Sequence, residues 1–235
     1  MNLDARPGRI TAIVGGSGSG KSVLTQAVTG LIDPPGRIDG GRILLDGEDL
    51  LAMGRKAFRR RCGRRVAMIF QDPAGSMNPV MKVRKHLLEA ASVPRRGRAA
   101  AMERFREVLR RVGFKDPDKA LESYPFELSG GMCQRIMVAM GLVADSRLLI
   151  ADEPTSNLDL TTQAAILQEL VRVKGQGLAV ILITHDLGVV AQTADDVYIL
   201  YEGRIVESGP VERVLLSPAH PYTRNLMASV AAEAA

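Results

Sequence analysis

Residues 15 to 22 read GGSGSGKS, which matches G-x-x-x-x-G-K-[ST] at every fixed position. Glycines let successive backbone N–H groups converge on one point, the geometry that holds phosphate oxygens. In that frame Lys21 reaches the β- and γ-phosphates of a nucleotide and the Ser22 hydroxyl coordinates Mg²⁺. The flanks agree, because Ile10 to Val14 suits a short buried strand and apolar residues recur at helical spacing after Ser22. A helix starting there adds its partial positive charge to the loop. Such a loop needs an acid at the end of a neighbouring apolar strand, and LLIADE (Leu148 to Glu153) supplies it. Asp152 falls at the carboxyl edge, where ligands of open α/β sheets bind, and suits Mg²⁺ directly or through its second shell. Glu153 is a candidate acceptor for the proton of an attacking water. The pair of motifs implies hydrolysis of a nucleoside triphosphate.

A second glycine turn, LSGGMCQR at residues 128 to 135, has a different chemistry. Ser129 is suited to cap a helix, and Gly130 and Gly131 permit close backbone approach to a phosphate. It offers neither a lysine nor a Mg²⁺ ligand. The turn can bind an anion but cannot run hydrolysis, so it reads as half a site.

The elements that must position these residues follow from periodicity. Strands are expected at Ile10–Val14, Gly41–Asp46, Arg65–Phe70, Leu148–Ala151 and Ala179–Thr184. Val197–Tyr201 and Arg204–Val206 flank a hairpin turn at Glu202-Gly203. Helical spacing places Val23, Leu24, Ala27, Val28 and Leu31 on one face of a helix beginning at Ser22. Further helices are expected over Lys82–Ala91, Ala99–Val112, Gly131–Ala144 and Thr161–Val173. Strands alternating with helices imply an α/β core with a mainly parallel sheet, into which an all-helical block is inserted. The expected division is a core of residues 1–78 and 146–235, and a helical subdomain of residues 79–145 that carries the second glycine turn.

Composition bounds the rest. At 235 residues, with 46% hydrophobic and 24% charged residues, the chain can bury a globular core. No apolar run approaches the ~20 residues that span a bilayer, and the N-terminus lacks a signal-peptide stretch. The expectation is a cytoplasmic protein whose membrane role comes through partners. Two cysteines (Cys62, Cys133) and three scattered histidines (His86, His185, His220) provide no disulfide framework and no zinc site. The net charge of +5 is locally concentrated in Arg59, Arg60, Arg61, Arg64 and Arg65, a solvated face or an anion-binding one.

Taken together, the motifs resemble the nucleotide-binding subunit of ATP-binding cassette (ABC) transporters over residues 8 to 230. Gln71 in IFQDP is similar to the family's glutamine loop, which senses the γ-phosphate and contacts the membrane subunit. LSGGM is similar to the signature, with Met132 where Gln is usual. Ser156 to Asp159 (SNLD) resembles the D-loop, with Asn157 where alanine is usual, and His185 in LITHD resembles the switch histidine. The resemblance implies a P-loop NTPase fold with a short antiparallel β element, and ATP and Mg²⁺ as cofactors. The implied nucleotide contacts are Gly15, Gly16, Ser17, Gly18, Ser19, Gly20, Lys21, Ser22 and Val23, then Gln71, Ser129, Gly130, Gly131 and Asp159. Ser22, Gln71 and Asp152 are the implied metal ligands, and Glu153, His185, Gln71 and Lys21 the implied catalytic groups. Two subunits, identical or paralogous, would pack head to tail so that each signature turn covers the other's ATP. Integral membrane permeases, and indirectly an extracytoplasmic binding protein, are the further implied partners, at the cytoplasmic face of the inner membrane.

Within that family FQDPAGSMNP, YPFELSGGM, IADEPTSNLD and SPAHPYTRNLM resemble importers of peptides, nickel and metal chelates, with a lean toward nickel. No cysteine follows Cys133, so no iron–sulfur cluster is expected. The family stacks adenine on an aromatic upstream of the phosphate loop, within one or two strands; residues 1 to 14 contain no aromatic, and the expectation is that those strands are lacking here. Either upstream residues are lacking, or the base platform is supplied elsewhere or lost. Base stacking contributes on the order of 1–3 kcal/mol, so weak nucleotide binding and reduced stability are expected. The rival reading is a soluble ABC-type ATPase acting on nucleic acid or the ribosome, supported only by the arginine cluster.

Overall fold

The computed structural model describes residues 1–156 and 158–233. β1 (Ile10–Val14) is buried along its whole length and delivers the chain into the phosphate loop, after which α1 (Lys21–Thr29) begins. The expected helical face holds in part, since Leu24 and Val28 pack against the cluster of Ile13, Ile150 and Ile183. Thr25 and Thr29 are buried, because each hydroxyl donates to a carbonyl of its own helix, Ser22 and Thr25 respectively, at 2.8 Å. Val23 and Leu31 are instead exposed. The strand expected over Gly41–Asp46 shrinks to β2 (Leu44–Leu45), paired antiparallel with β3 (Glu48–Asp49). Asp46 and Gly47 at their turn have φ of 51° and 80°, the left-handed pair of a tight hairpin.

The arginine run is a helix, α2 (Arg55–Arg65), held by Phe58 and Cys62 one turn apart. Arg61 pairs with Glu48 at 2.7 Å, and Arg59 donates to the Gly30 carbonyl at the end of α1. β4 (Val66–Ile69) follows, then α3 (Pro73–Ser76), capped by Asp72. The helical block comprises α4 (Val83–Ala90), α5 (Arg98–Arg111), α6 (Pro117–Glu122) and α7 (Gly130–Val143). Phe105 and Leu109 of α5 and Met137 of α7 join Ile69 and Leu149 of the sheet in one apolar cluster. Gly141 lets α7 approach the sheet: a Cβ there would lie 3.0 Å from both Ile69 and Leu149.

The chain then alternates: β5 (Leu148–Asp152), α8 (Leu160–Gly175), β6 (Ala179–Ile183), α9 (Leu187–Thr193) and β7 (Asp196–Tyr201). β8 (Arg204–Pro210) turns back antiparallel to β7, and α10 (Val211–Leu216) and α11 (Pro221–Glu233) close the described chain. The main sheet has the order β4-β5-β6-β1-β7-β8, parallel except for β8. Its first four strands end side by side at one carboxyl edge, the edge where open α/β sheets bind ligands.

Candidate functional site

Backbone close to its neighbours shapes the phosphate loop. A Cβ on Gly15 would collide with the Leu200 carbonyl and come within 2.7 Å of Ser19 Oγ. Gly20 caps α1 at φ 102°, a conformation that favours glycine. Lys21 Nζ donates to the Gly15 carbonyl at 2.7 Å and the Gly16 carbonyl at 2.9 Å. An ammonium has three protons, so one remains for a phosphate oxygen. Among the described residues Ser19 Oγ is buried with no partner, which suits an oxygen that only a ligand brings.

The sheet order gathers the other candidates. Asp152 ends β5, and Gln71, Glu153 and His185 follow the adjacent strands β4, β5 and β6, next to the loop that follows β1. Glu153 lies at φ 46°, outside the usual region for a non-glycine residue, and its N–H donates to the Ile183 carbonyl at 2.9 Å. Its carboxylate accepts from Gln71 Nε2 at 3.2 Å and sits 3.2 Å from His185 Nδ1. Spending the Gln71 amide nitrogen on Glu153 leaves its oxygen available to a cation. His185 is set by its neighbours: Thr184 Oγ accepts from the Asp186 N–H, and the Asp186 carboxylate caps α9. Asp152 is 6% exposed. Burial raises its pKa, the adjacent Glu153 charge adds to the rise, and Lys21 opposes it.

The signature turn has the geometry its residues imply. Ser129 caps α7, its Oγ accepting from the Met132 N–H at 3.3 Å; Gly130 is exposed and Gly131 half-buried. Among the described residues no hydrogen bond joins Ser129, Gly130 or Gly131 to the phosphate loop of the same chain. Buried Gln134, which sequence reasoning passed over, donates to the Pro154 carbonyl at 2.9 Å and ties α7 to the loop after Glu153. Cys133 is a core residue whose Sγ donates to the Pro125 carbonyl, and burial pushes its thiol pKa up. Asp159 caps α8 through the Thr162 N–H and hydroxyl, bonds that lower its pKa. Asn157 lies outside the described residues. Val23 of the nucleotide-contact set is 60% exposed at the start of α1, open to a ligand.

One contact had no signal in sequence. Tyr222, on α11, accepts from the Gly16 N–H at 3.0 Å across 206 residues, and its ring packs on Tyr201 with centroids 4.2 Å apart.

The model of the ABC transporter family matches residues 1–156 of the 235-residue chain. The chain belongs to the ABC transporter family. It carries that family's ATPase cassette. The chain is 46% identical to the oligopeptide transport ATP-binding protein OppD of Bacillus subtilis, over 98% of its own length and 65% of that protein's. It is 44% identical to the dipeptide transport ATP-binding protein DppD of Haemophilus influenzae, over 98% of its length and 70% of the relative's. Among solved structures, the ATP-binding subunit of an ABC transporter superposes with a TM-score of 0.77 at 25% identity, over 97% of this chain and 90% of that one. The cbiO1 protein of Clostridium perfringens, part of the ABC transporter complex cbiONQ, superposes with a TM-score of 0.75 at 29% identity, over 92% of this chain and 83% of that one. No helix among the described residues is long and apolar enough to cross a membrane.

Proposed function

We propose that this chain hydrolyses ATP to drive import of short peptides through a membrane permease. The observation that carries the reading is the Glu153 carboxylate, held between Gln71 and His185 at the sheet edge beside the phosphate loop. The named relatives are peptide transport proteins, which moves the cargo from nickel or metal chelates toward peptides. The arginine cluster, sole support of the nucleic-acid reading, is partly consumed within the fold by the Arg61–Glu48 and Arg59–Gly30 contacts.

In this reading the glycine loop and the N-terminus of α1 hold the phosphates, and Lys21 donates a hydrogen bond through its remaining N–H to a β- or γ-phosphate oxygen. Ser22, Asp152 and the Gln71 oxygen form a hard oxygen set of the kind that Mg²⁺ takes together with phosphate oxygens. Among the described residues no three His, Cys, Asp or Glu converge on a metal, so the nucleotide would complete the coordination. Bound there, Mg²⁺ would neutralise charge that develops on the phosphates. Glu153 takes the proton from the attacking water, and His185 orients that carboxylate and contacts the γ-phosphate. The signature turn of a second copy or paralogue, through Ser129 and Gly131, covers the γ-phosphate from the opposite side. Residues 79–145 act as the helical subdomain that carries this turn, and Gln71 links the site to the permease. Closure on ATP and reopening after hydrolysis move the permease from the cytoplasmic face of the membrane, with an extracytoplasmic binding protein delivering cargo.

Peptide uptake in a deletion strain tests the cargo, with the gene restored as wild type or as K21A. Uptake of a labelled dipeptide restored only by the wild type is expected. Restoration of nickel uptake without peptide uptake would overturn the peptide assignment.

A further inference from the structure

We propose that Tyr222 is a positioning residue for the phosphate loop, through which α11 sets the affinity for nucleotide; the inference rests on the ATPase reading above. The Tyr222 hydroxyl accepts the Gly16 N–H at 3.0 Å, while Lys21 Nζ draws the Gly15 and Gly16 carbonyls toward itself. The first turn of the loop is thus held from both sides. The fit is mutual, since a Cβ on residue 16 would crowd Tyr222 Oη at 3.3 Å.

A loose C-terminal tail could not fix a loop, but this tyrosine is rigidly delivered. Its ring packs on Tyr201 at the end of β7, and its N–H donates to His220 Nδ1 at 3.2 Å. The Ala219 and His220 N–H groups donate to the Glu207 carboxylate on β8, at 2.8 and 3.0 Å. Neighbouring Thr223 is fully buried. The same hairpin touches the loop directly, for the Gly203 N–H donates to the Ser19 carbonyl at 3.0 Å. Loop, hairpin and the start of α11 are one hydrogen-bonded unit.

Such a unit couples in both directions. A tyrosine that restricts Gly16 to its binding conformation lowers the ordering that nucleotide must impose. By linkage, nucleotide that orders the loop must also steady the start of α11. Tyr222 lies outside the stretch matched by the family model, at residues 1–156.

Y222F isolates the hydroxyl, because phenylalanine keeps the ring on Tyr201. In the full chain, titrated with Mg·ATP and Mg·ADP, Y222F is expected to raise Kd and the KM for ATP about three- to tenfold, the worth of one neutral hydrogen bond. kcat should stay within about twofold, because no reacting atom is touched. Amide exchange at the first turn of α11 should slow on adding Mg·ADP in the wild type and not in Y222F. Wild-type Kd and KM in Y222F, or nucleotide-independent exchange of that turn in the wild type, would overturn the proposal. K21A separates the two readings. Wild-type binding that K21A abolishes and Y222F leaves unchanged sinks this inference alone, whereas a wild type that binds no Mg·ATP sinks the ATPase reading with it.

Discussion

His185 Nδ1 stands 3.2 Å from Glu153 Oε1, though 32 residues separate them in the chain. The contact exists because β5 and β6 are parallel neighbours in register from Leu148↔Ala179 to Asp152↔Ile183. One residue past that register, the two strands release Glu153 and Thr184-His185 at the same height. The left-handed φ of Glu153 turns the chain there.

Replacing Glu153 by Gln tests the proton acceptor. The amide keeps the shape and can still accept from Gln71, but it cannot take a proton from water. Turnover is expected to fall by at least about 10²-fold, the low end of a general base's contribution. Mg·ATP binding should persist, and a nucleotide-bound dimer should accumulate on size exclusion. Phosphate release at the wild-type rate would show that the proton goes elsewhere.

The half-site character of LSGGM predicts complementation between two dead chains. K21A removes the phosphate loop's lysine but keeps a sound signature, and S129R does the reverse. A mixed dimer has one site with both halves intact. Equal mixing should restore up to about a quarter of wild-type turnover, because half of the dimers carry one of two sites. ATPase activity that stays at the level of the separate variants would mean the turn serves no partner.

Strands were legible wherever the apolar run was continuous and β-branched, as in AVILI of β6, buried from end to end. The edge residues followed from them, since a parallel order needs only its strand ends to place Asp152, Glu153 and His185 together. Helices were harder where polar residues did the packing. Thr25 and Thr29 bury themselves by bonding their own helix, so the apolar pattern of α1 gave its buried face only in part: Leu24 and Val28 pack on the core, and Val23 and Leu31 do not. In α2 two buried residues, Phe58 and Cys62, stand among seven arginines and lysines, and the charge concealed the helix. Tyr222 gave no signal because its partner, Gly16, lies 206 residues away and contributes only a backbone N–H.

Gly141 predicts a packing limit between the helical block and the sheet. Its missing Cβ lets α7 approach Ile69 of β4 and Leu149 of β5, both fully buried. Gly141→Ala gains helix propensity but forces those side chains apart, and overpacking of this kind costs about 1–3 kcal/mol. Chemical denaturation should show a lower midpoint with an unchanged slope. An unchanged or raised midpoint would mean that the contact relaxes freely.

Glu207 gives the clamp on α11 a pH signature. Burial alone would raise its pKa, but the Ala219 and His220 N–H groups and the Arg213 charge together hold it below its usual 4.5. A depressed carboxylate contributes stability that is complete above its unfolded pKa and disappears as pH falls through the folded value. The stability difference between wild type and E207Q should therefore be present at neutral pH and vanish in acid, below 4.5. Arg213 on α10 is the charged group that acts on it, and Arg213 stays charged throughout. Thermal unfolding of both chains across pH 3 to 8 measures the difference. A gap that stays constant into acid would show that the carboxylate's charge contributes nothing to the clamp.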